Sequence, residues 1–182
     1  MENKHLSSAG NYTDENIKTM EGMKHIRLRP GMYIGGLGNG TDPRHGIYTI
    51  LKEVIDNSVD EFTMGFGKNI MVDVDEKTAS VRDYGQGIPL GSVIKAVSIL
   101  NTSGRFDDYV YQKTIGLNGV GIKATNSLSL DFYVASYRNG ESSWAKFSQG
   151  VAEPLSGLLS TDSLLSTAAR TCLHIRKLWR AH

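Results

Sequence analysis

Ile115-Gly116-Leu117-Asn118-Gly119-Val120-Gly121-Ile122-Lys123 spaces three glycines among bulkier residues and runs directly into 120–128, which reads as a short helix. Glycine lets the backbone take positive φ and approach a ligand with no β-carbon in the way. The unpaired N–H groups at the start of the following helix favour negative charge. Such a stretch can wrap a phosphate chain, but taken alone it reads equally as a flexible turn between two elements. The segments on either side decide between the two.

Upstream, from His45 to Phe62, the apolar residues Ile47, Ile50, Leu51, Val54 and Ile55 recur at three- and four-residue spacing, which predicts a long amphipathic helix ended by Gly65-Phe66-Gly67. Two β-like runs, 70–74 and 80–83, flank the polar turn Asp75-Glu76-Lys77-Thr78 and predict a hairpin. Pro30-Gly31 marks a turn, and Gly36 to Gly40 a loop. Residues 91–100 have helical spacing, and 101–115 are polar and lid-like. Downstream, 132–137, the turn Arg138-Asn139-Gly140-Glu141 and 143–147 form strand, turn and strand. The expected fold is α+β, a two-layer sandwich with helices on one face of a mixed, mostly antiparallel sheet.

Composition narrows the function classes. The chain has 182 residues, 40% of them hydrophobic, enough for one core and one main domain. We expect an arm at 1–20 without core periodicity, a domain at 21–150 and a tail at 151–182. There is no apolar run of membrane-spanning length and no secretion signal at the start, so a cytoplasmic protein with no membrane contact is expected. The single cysteine, Cys172, precludes an internal disulfide and a Cys-based metal cluster. A formal charge of +1 gives no broad nucleic-acid surface; DNA contact would need a local patch or another polypeptide.

Three further motifs carry chemistry. Glu53 and Asn57, four apart, project from one helix face: a carboxylate that can take a proton from water beside an amide oxygen that is a hard ligand for Mg²⁺. In isolation the pair is also what a solvated helix face looks like. Asp83-Tyr84-Gly85-Gln86-Gly87-Ile88-Pro89 puts an acid at a strand end before a glycine turn. A buried Asp83 could accept from the exocyclic amino group of adenine while Gly87 leaves room for the ring; a turn-forming Asp bonded to its own backbone is the plainer reading. Arg105 and Lys113 flank the glycine loop and could complement phosphate, although a solvated lid has the same composition.

The order of these motifs, with Arg29-Pro30-Gly31-Met32-Tyr33-Ile34-Gly35 before them, closely resembles the nucleotide-binding domain of type II DNA topoisomerase B subunits, the gyrase B and topoisomerase IV B kind. This family belongs to the GHKL (Bergerat) ATPases, with the heat-shock-90 chaperones, MutL proteins and histidine kinases. The resemblance runs from about Tyr12 to about Gly150, and 83–90 with 116–121 look more like topoisomerase IV than enterobacterial gyrase.

The resemblance implies ATP and Mg²⁺ as cofactors and assigns roles by position. Glu53 would be the general base that deprotonates water, and Asn57 the protein ligand to Mg²⁺. Asp83 would bind the adenine amino group, with Gly87, Ile88 and Pro89 beside the nucleotide. Gly116, Leu117, Asn118, Gly119, Val120 and Gly121 would give backbone donors to the phosphates. Arg105, Tyr111 and Lys113 or Lys123 would line the pocket, and Tyr12 would reach the nucleotide of a second copy. It further implies a homodimer formed through the arm on ATP binding, and the topoisomerase A subunit and DNA as partners of the full-length protein. The competing expectations are a non-catalytic, incompletely folded fragment and the ATPase domain of another GHKL member.

Three departures stand out. Gln86 replaces a frequent arginine, which would leave Glu61 or Asp60 without its partner charge, and Asn118 replaces a frequent histidine. From Val151 onward no family pattern is read, so the tail is expected to be truncated or frame-altered; within it Arg170-Thr171-Cys172-Leu173-His174-Ile175 offers a substitute strand. Without the family's transducer lysine, the fragment is expected to bind Mg-ATP but turn it over poorly.

Overall fold

The computed structural model describes residues 14, 17, 19–102 and 119–154, and the backbone of 157–160 and 171–178. Its elements run α1 (Gly22–Leu28), α2 (Gly31–Ile34), α3 (Gly46–Thr63), β1 (Ile70–Val74), β2 (Thr78–Asp83), a 3-10 turn at Leu90–Ser92, α4 (Val93–Ser98), α5 (Gly121–Leu128), β3 (Ser129–Arg138), β4 (Glu141–Ser148), β5 (Val151–Ala152), β6 (Gly157–Ser160) and β7 (Thr171–Leu178). The strands form one sheet in the order β1-β2-β7-β3-β4-β5, with β6 also paired to β4, and all these pairings are antiparallel.

Local chemistry explains the two hairpins. At the first, Asp75 Oδ1 accepts the backbone N–H groups of Lys77 and Thr78 at 2.7 and 2.8 Å, so the aspartate closes the turn between β1 and β2. At the second, Asn139 (φ 53°) and Gly140 (φ 81°) form a two-residue loop with positive φ at both positions, the geometry that suits the right-handed twist of the flanking strands.

Helix α3 buries Ile50 and Val54, and Leu51 and Ile55 pack against the same core. That core continues through Ile26, Ile34, Val81, Val93, Val97, Ala124, Leu128, Phe132, Val134, Ala145 and Phe147, the layer between helices and sheet. Gly46 brings α3 against α2: a β-carbon there would lie 2.6 Å from the Ile34 side chain. At the other end Phe66 N–H donates to the Glu61 carbonyl and Gly65 takes φ 88°, which stops the helix.

Two elements differ from the sequence expectation. Residues 91–100 divide into the 3-10 turn and a six-residue α4. The seven-residue α1 precedes Pro30, where only a turn is read from sequence; it is too short to show periodicity and is held by tertiary contacts. Ile26 is fully buried, Arg27 Nη1 donates to the Ser127 carbonyl at 2.8 Å, and Ser127 Oγ donates to the Met23 carbonyl at 2.8 Å. In the tail, Thr171–Leu178 lies between β2 and β3, pairing Thr78–Asp83 on one side and Ser129–Ser136 on the other.

Candidate functional site

Helix α3 is the element on which the candidate residues meet. Glu53, Asn57 and Glu61 follow at four-residue spacing, so they form one stripe along the helix. Asn57 Nδ2 donates to the Glu53 carbonyl at 2.7 Å. That bond engages the amide nitrogen and fixes the side chain one turn from Glu53; the amide oxygen is the atom of this side chain with hard-ligand chemistry.

The glycine loop reaches α3 at its last glycine. A β-carbon on Gly121 would lie 1.8 Å from Glu53 Oε2 and 2.4 Å from its carboxyl carbon, so the carboxylate rests on the bare Cα at the first residue of α5. Only glycine permits this approach. Gly119 has φ 58°, and Val120 leads into the helix with φ −107°. The start of α5 thus lies against the Glu53 carboxylate, a basic group adjoining an anion-favouring helix end. Thr125 Oγ1 ties α5 back to α3 by donating to the Ile50 carbonyl at 3.2 Å.

The Asp83 turn reaches α3 further along. Strand β2 buries alternate residues, so Asp83 shares the inward face with Ala79 and Val81 and is 6% exposed. Its Oδ1 accepts Gly85 N–H at 2.9 Å, and Ser58 Oγ donates to Oδ2 at a long 3.5 Å. Both readings of Asp83 from sequence therefore meet in one residue: it closes its own turn and is also a buried carboxylate. Gly87 takes φ 75°; Ile88 packs against the core, with its carbonyl accepting Ser136 Oγ at 2.7 Å; Pro89 beside it is exposed.

Glutamine at position 86 does not strand the acids of α3. Glu61 Oε2 accepts the backbone N–H of Gln86 itself at 3.0 Å, and Asp60, fully buried, also has a partner. Lys123 is 2% exposed, with Nζ donating to the Thr102 carbonyl at 2.6 Å. Tyr12, Arg105, Tyr111, Lys113, Gly116, Leu117 and Asn118 lie outside the described residues. Among the described residues no three His, Cys, Asp or Glu side chains gather as a metal cage. Nor is any described helix long and apolar enough to cross a membrane.

Sequence reasoning missed Ser58 and the bond from Ser136 to Ile88. Ser58 carries a usable signal, a small polar residue on the buried stripe of a helix one position beyond Asn57. Ser136 carries none, since its partner is 48 residues away.

No protein-family model matches the chain. It is 53% identical over 140 residues to the B subunit of DNA topoisomerase 4 from Borreliella burgdorferi, a match covering 77% of this chain and 23% of that protein. It is 34% identical over 173 residues to the B subunit of DNA topoisomerase 4 from Staphylococcus aureus, covering 91% of this chain and 25% of that protein. The second match enters 151–182. The chain thus spans about a quarter of the length of these relatives.

Among solved structures, the 43K ATPase domain of Thermus thermophilus gyrase B, crystallised with an aminocoumarin, aligns with TM-score 0.64 and 25% identity over 86% of this chain and 39% of that one. The ATPase region of Saccharomyces cerevisiae topoisomerase II has the same fold, with TM-score 0.72 and 21% identity over 91% of this chain and 51% of that one. By sequence over most of its residues and by its GHKL ATPase-domain fold, this chain belongs to the type II DNA topoisomerase B-subunit family.

Proposed function

We propose that this chain binds Mg-ATP along α3, as the ATPase part of a bacterial type II topoisomerase B subunit in which nucleotide binding and hydrolysis drive dimerisation and DNA strand passage. The observation that carries the proposal is the contact of the Glu53 carboxylate with Gly121, which puts a base against the start of the glycine-loop helix. The buried Asp83 is attached to the same helix through Ser58.

In this reading the adenine amino group donates to Asp83, whose carboxylate only accepts when ionised. Gly87, Ile88 and Pro89 border the nucleotide. Backbone N–H groups of Gly116 to Gly121 receive the phosphates, and Glu53 orients the attacking water and takes its proton. Asn57 would hold Mg²⁺ through its amide oxygen, an atom type that suits this ion, and the metal would supply charge neutralisation to the phosphates. Arg105, Tyr111 and Lys113 would complement the phosphates, Tyr12 would reach across to a second copy, and Lys123 would support the loop from the first turn of α5.

The full-length protein would pair as a homodimer and work with a topoisomerase A subunit and DNA in the cytoplasm. Isothermal titration with Mg²⁺ and a non-hydrolysable ATP analogue tests the binding half: saturable heat is expected, and no heat up to millimolar ligand would refute it.

A further inference from the structure

Two consecutive amides of the turn after β2 are each taken by a carboxylate, and the two carboxylates come from different elements. Gly85 N–H donates to Asp83 Oδ1 at 2.9 Å within the turn, whereas Gln86 N–H donates to Glu61 Oε2 at 3.0 Å, across to α3. The fit around this bond is close. A β-carbon on Gly85 would lie 2.8 Å from both Cβ and Oε2 of Glu61. On the far side of the turn, a β-carbon on Gly67 would lie 2.7 Å from the Tyr84 carbonyl carbon. Glu61 also holds the end of its own helix, its carbonyl accepting Phe66 N–H at 2.9 Å. The turn is therefore gripped between the last turn of α3 and the chain that leaves it, and Glu61 makes the hydrogen bonds to both.

We propose that Glu61 is a positioning residue for base recognition: by holding the Gln86 amide it fixes the orientation of the Asp83 carboxylate and so sets the preference for adenine over guanine. The inference rests on the reading of Asp83 as the adenine contact. A carboxylate that must meet one amino group works only if its angle is held, and here its turn is anchored to the helix by one charge-assisted bond. Guanine presents a carbonyl where adenine presents the amino group, so a well-held Asp83 rejects it. A loosened Asp83 swings away and rejects it less. Glu61 would then be the third member of the α3 stripe, with Glu53 serving hydrolysis, Asn57 the metal and Glu61 the base.

The test compares the whole chain with Glu61→Ala and Glu61→Gln by titration, in Mg²⁺, with non-hydrolysable ATP and GTP analogues, and follows thermal unfolding of each. In Glu61→Ala the ratio of ATP-analogue to GTP-analogue affinity is expected to fall about tenfold, the scale of one lost hydrogen bond to a charged group. Glu61→Gln keeps an oxygen that can accept the same N–H, so its ratio should stay within about threefold of the parent. A merely structural role would lower the melting temperature and both affinities together; an unchanged ratio in Glu61→Ala overturns the proposal. If Glu61→Ala does not fold, hydrogen exchange of the Gln86 amide in the parent chain decides. Strong protection is expected, and exchange at the rate of an unstructured amide overturns it. Failure of the parent chain to bind either analogue refutes the ATP reading itself and the role of Glu61 with it; binding with an unchanged ratio refutes the role of Glu61 alone.

Discussion

The two ends of the α3 stripe that runs from Glu53 to Glu61 meet their neighbours in different ways. At Glu53 the helix meets α5 by shape: a carboxylate fills the space left by the absent side chain of Gly121. At Ser58 and Glu61 the helix meets the Asp83 turn largely by hydrogen bonds. Contact by shape is intolerant, because close-packed neighbours cannot give way cheaply. Contact through hydrogen bonds degrades in steps, each bond changing orientation before it changes the fold. In the proposed reading, hydrolysis, which needs a base at a fixed distance, sits at the first end, and base recognition at the second.

The largest effect should come from breaking the first end. Gly121→Ala places a β-carbon 1.8 Å from Glu53 Oε2 and must displace the carboxylate. Hydrolysis is expected to drop to the assay floor, with a loss of about 1–3 kcal/mol in stability from overpacking, measured by phosphate release and by denaturant unfolding. Glu53→Gln removes the proposed base while keeping its shape. It should lower single-turnover hydrolysis by about 100-fold or more and leave nucleotide affinity nearly unchanged.

Gly85→Ala perturbs the second end. Its β-carbon would crowd Glu61 at 2.8 Å, so affinity for the ATP analogue should fall by about tenfold while the rate per bound nucleotide changes little. The smallest effect belongs to a region touching neither end. The Asp42 carboxyl is held down to about 2, first by its side-chain bond with Arg44, then by the Arg44 backbone N–H. A lowered carboxyl contributes stability above its ordinary value of 3.8 and loses it as pH falls toward about 2. Asp42→Asn should therefore flatten acid unfolding slightly between those values and leave the neutral melting temperature essentially unchanged, because the pair is exposed.

Whatever depends on near neighbours in the chain was legible. The spacing of Ile50, Leu51, Val54 and Ile55 marks α3, and Asn139-Gly140 marks its hairpin. The same local logic places Glu53 one turn before Asn57, whereas the burial of Asp83 on the inward face of β2 was left open beside its role in the turn. What failed was long-range. Nothing in Thr171–Leu178 announces that it lies between β2 and β3, since its partners are far away in the chain. The four-residue spacing of Glu53 and Asn57 was visible, but that Gln86 would offer Glu61 its backbone in place of a charged side chain was not. Side-chain identity advertises charge, whereas every residue but proline carries an N–H whatever its side chain.

The measurement that bears most directly on the account is a side-by-side titration of the parent chain, Glu53→Gln and Asp83→Asn with a non-hydrolysable ATP analogue in Mg²⁺. The account predicts that the parent and Glu53→Gln bind alike and that Asp83→Asn binds at least about tenfold more weakly, because its amide replaces the charged acceptor for the adenine amino group. Equal affinities in all three, or no binding by the parent chain at millimolar ligand, would contradict it.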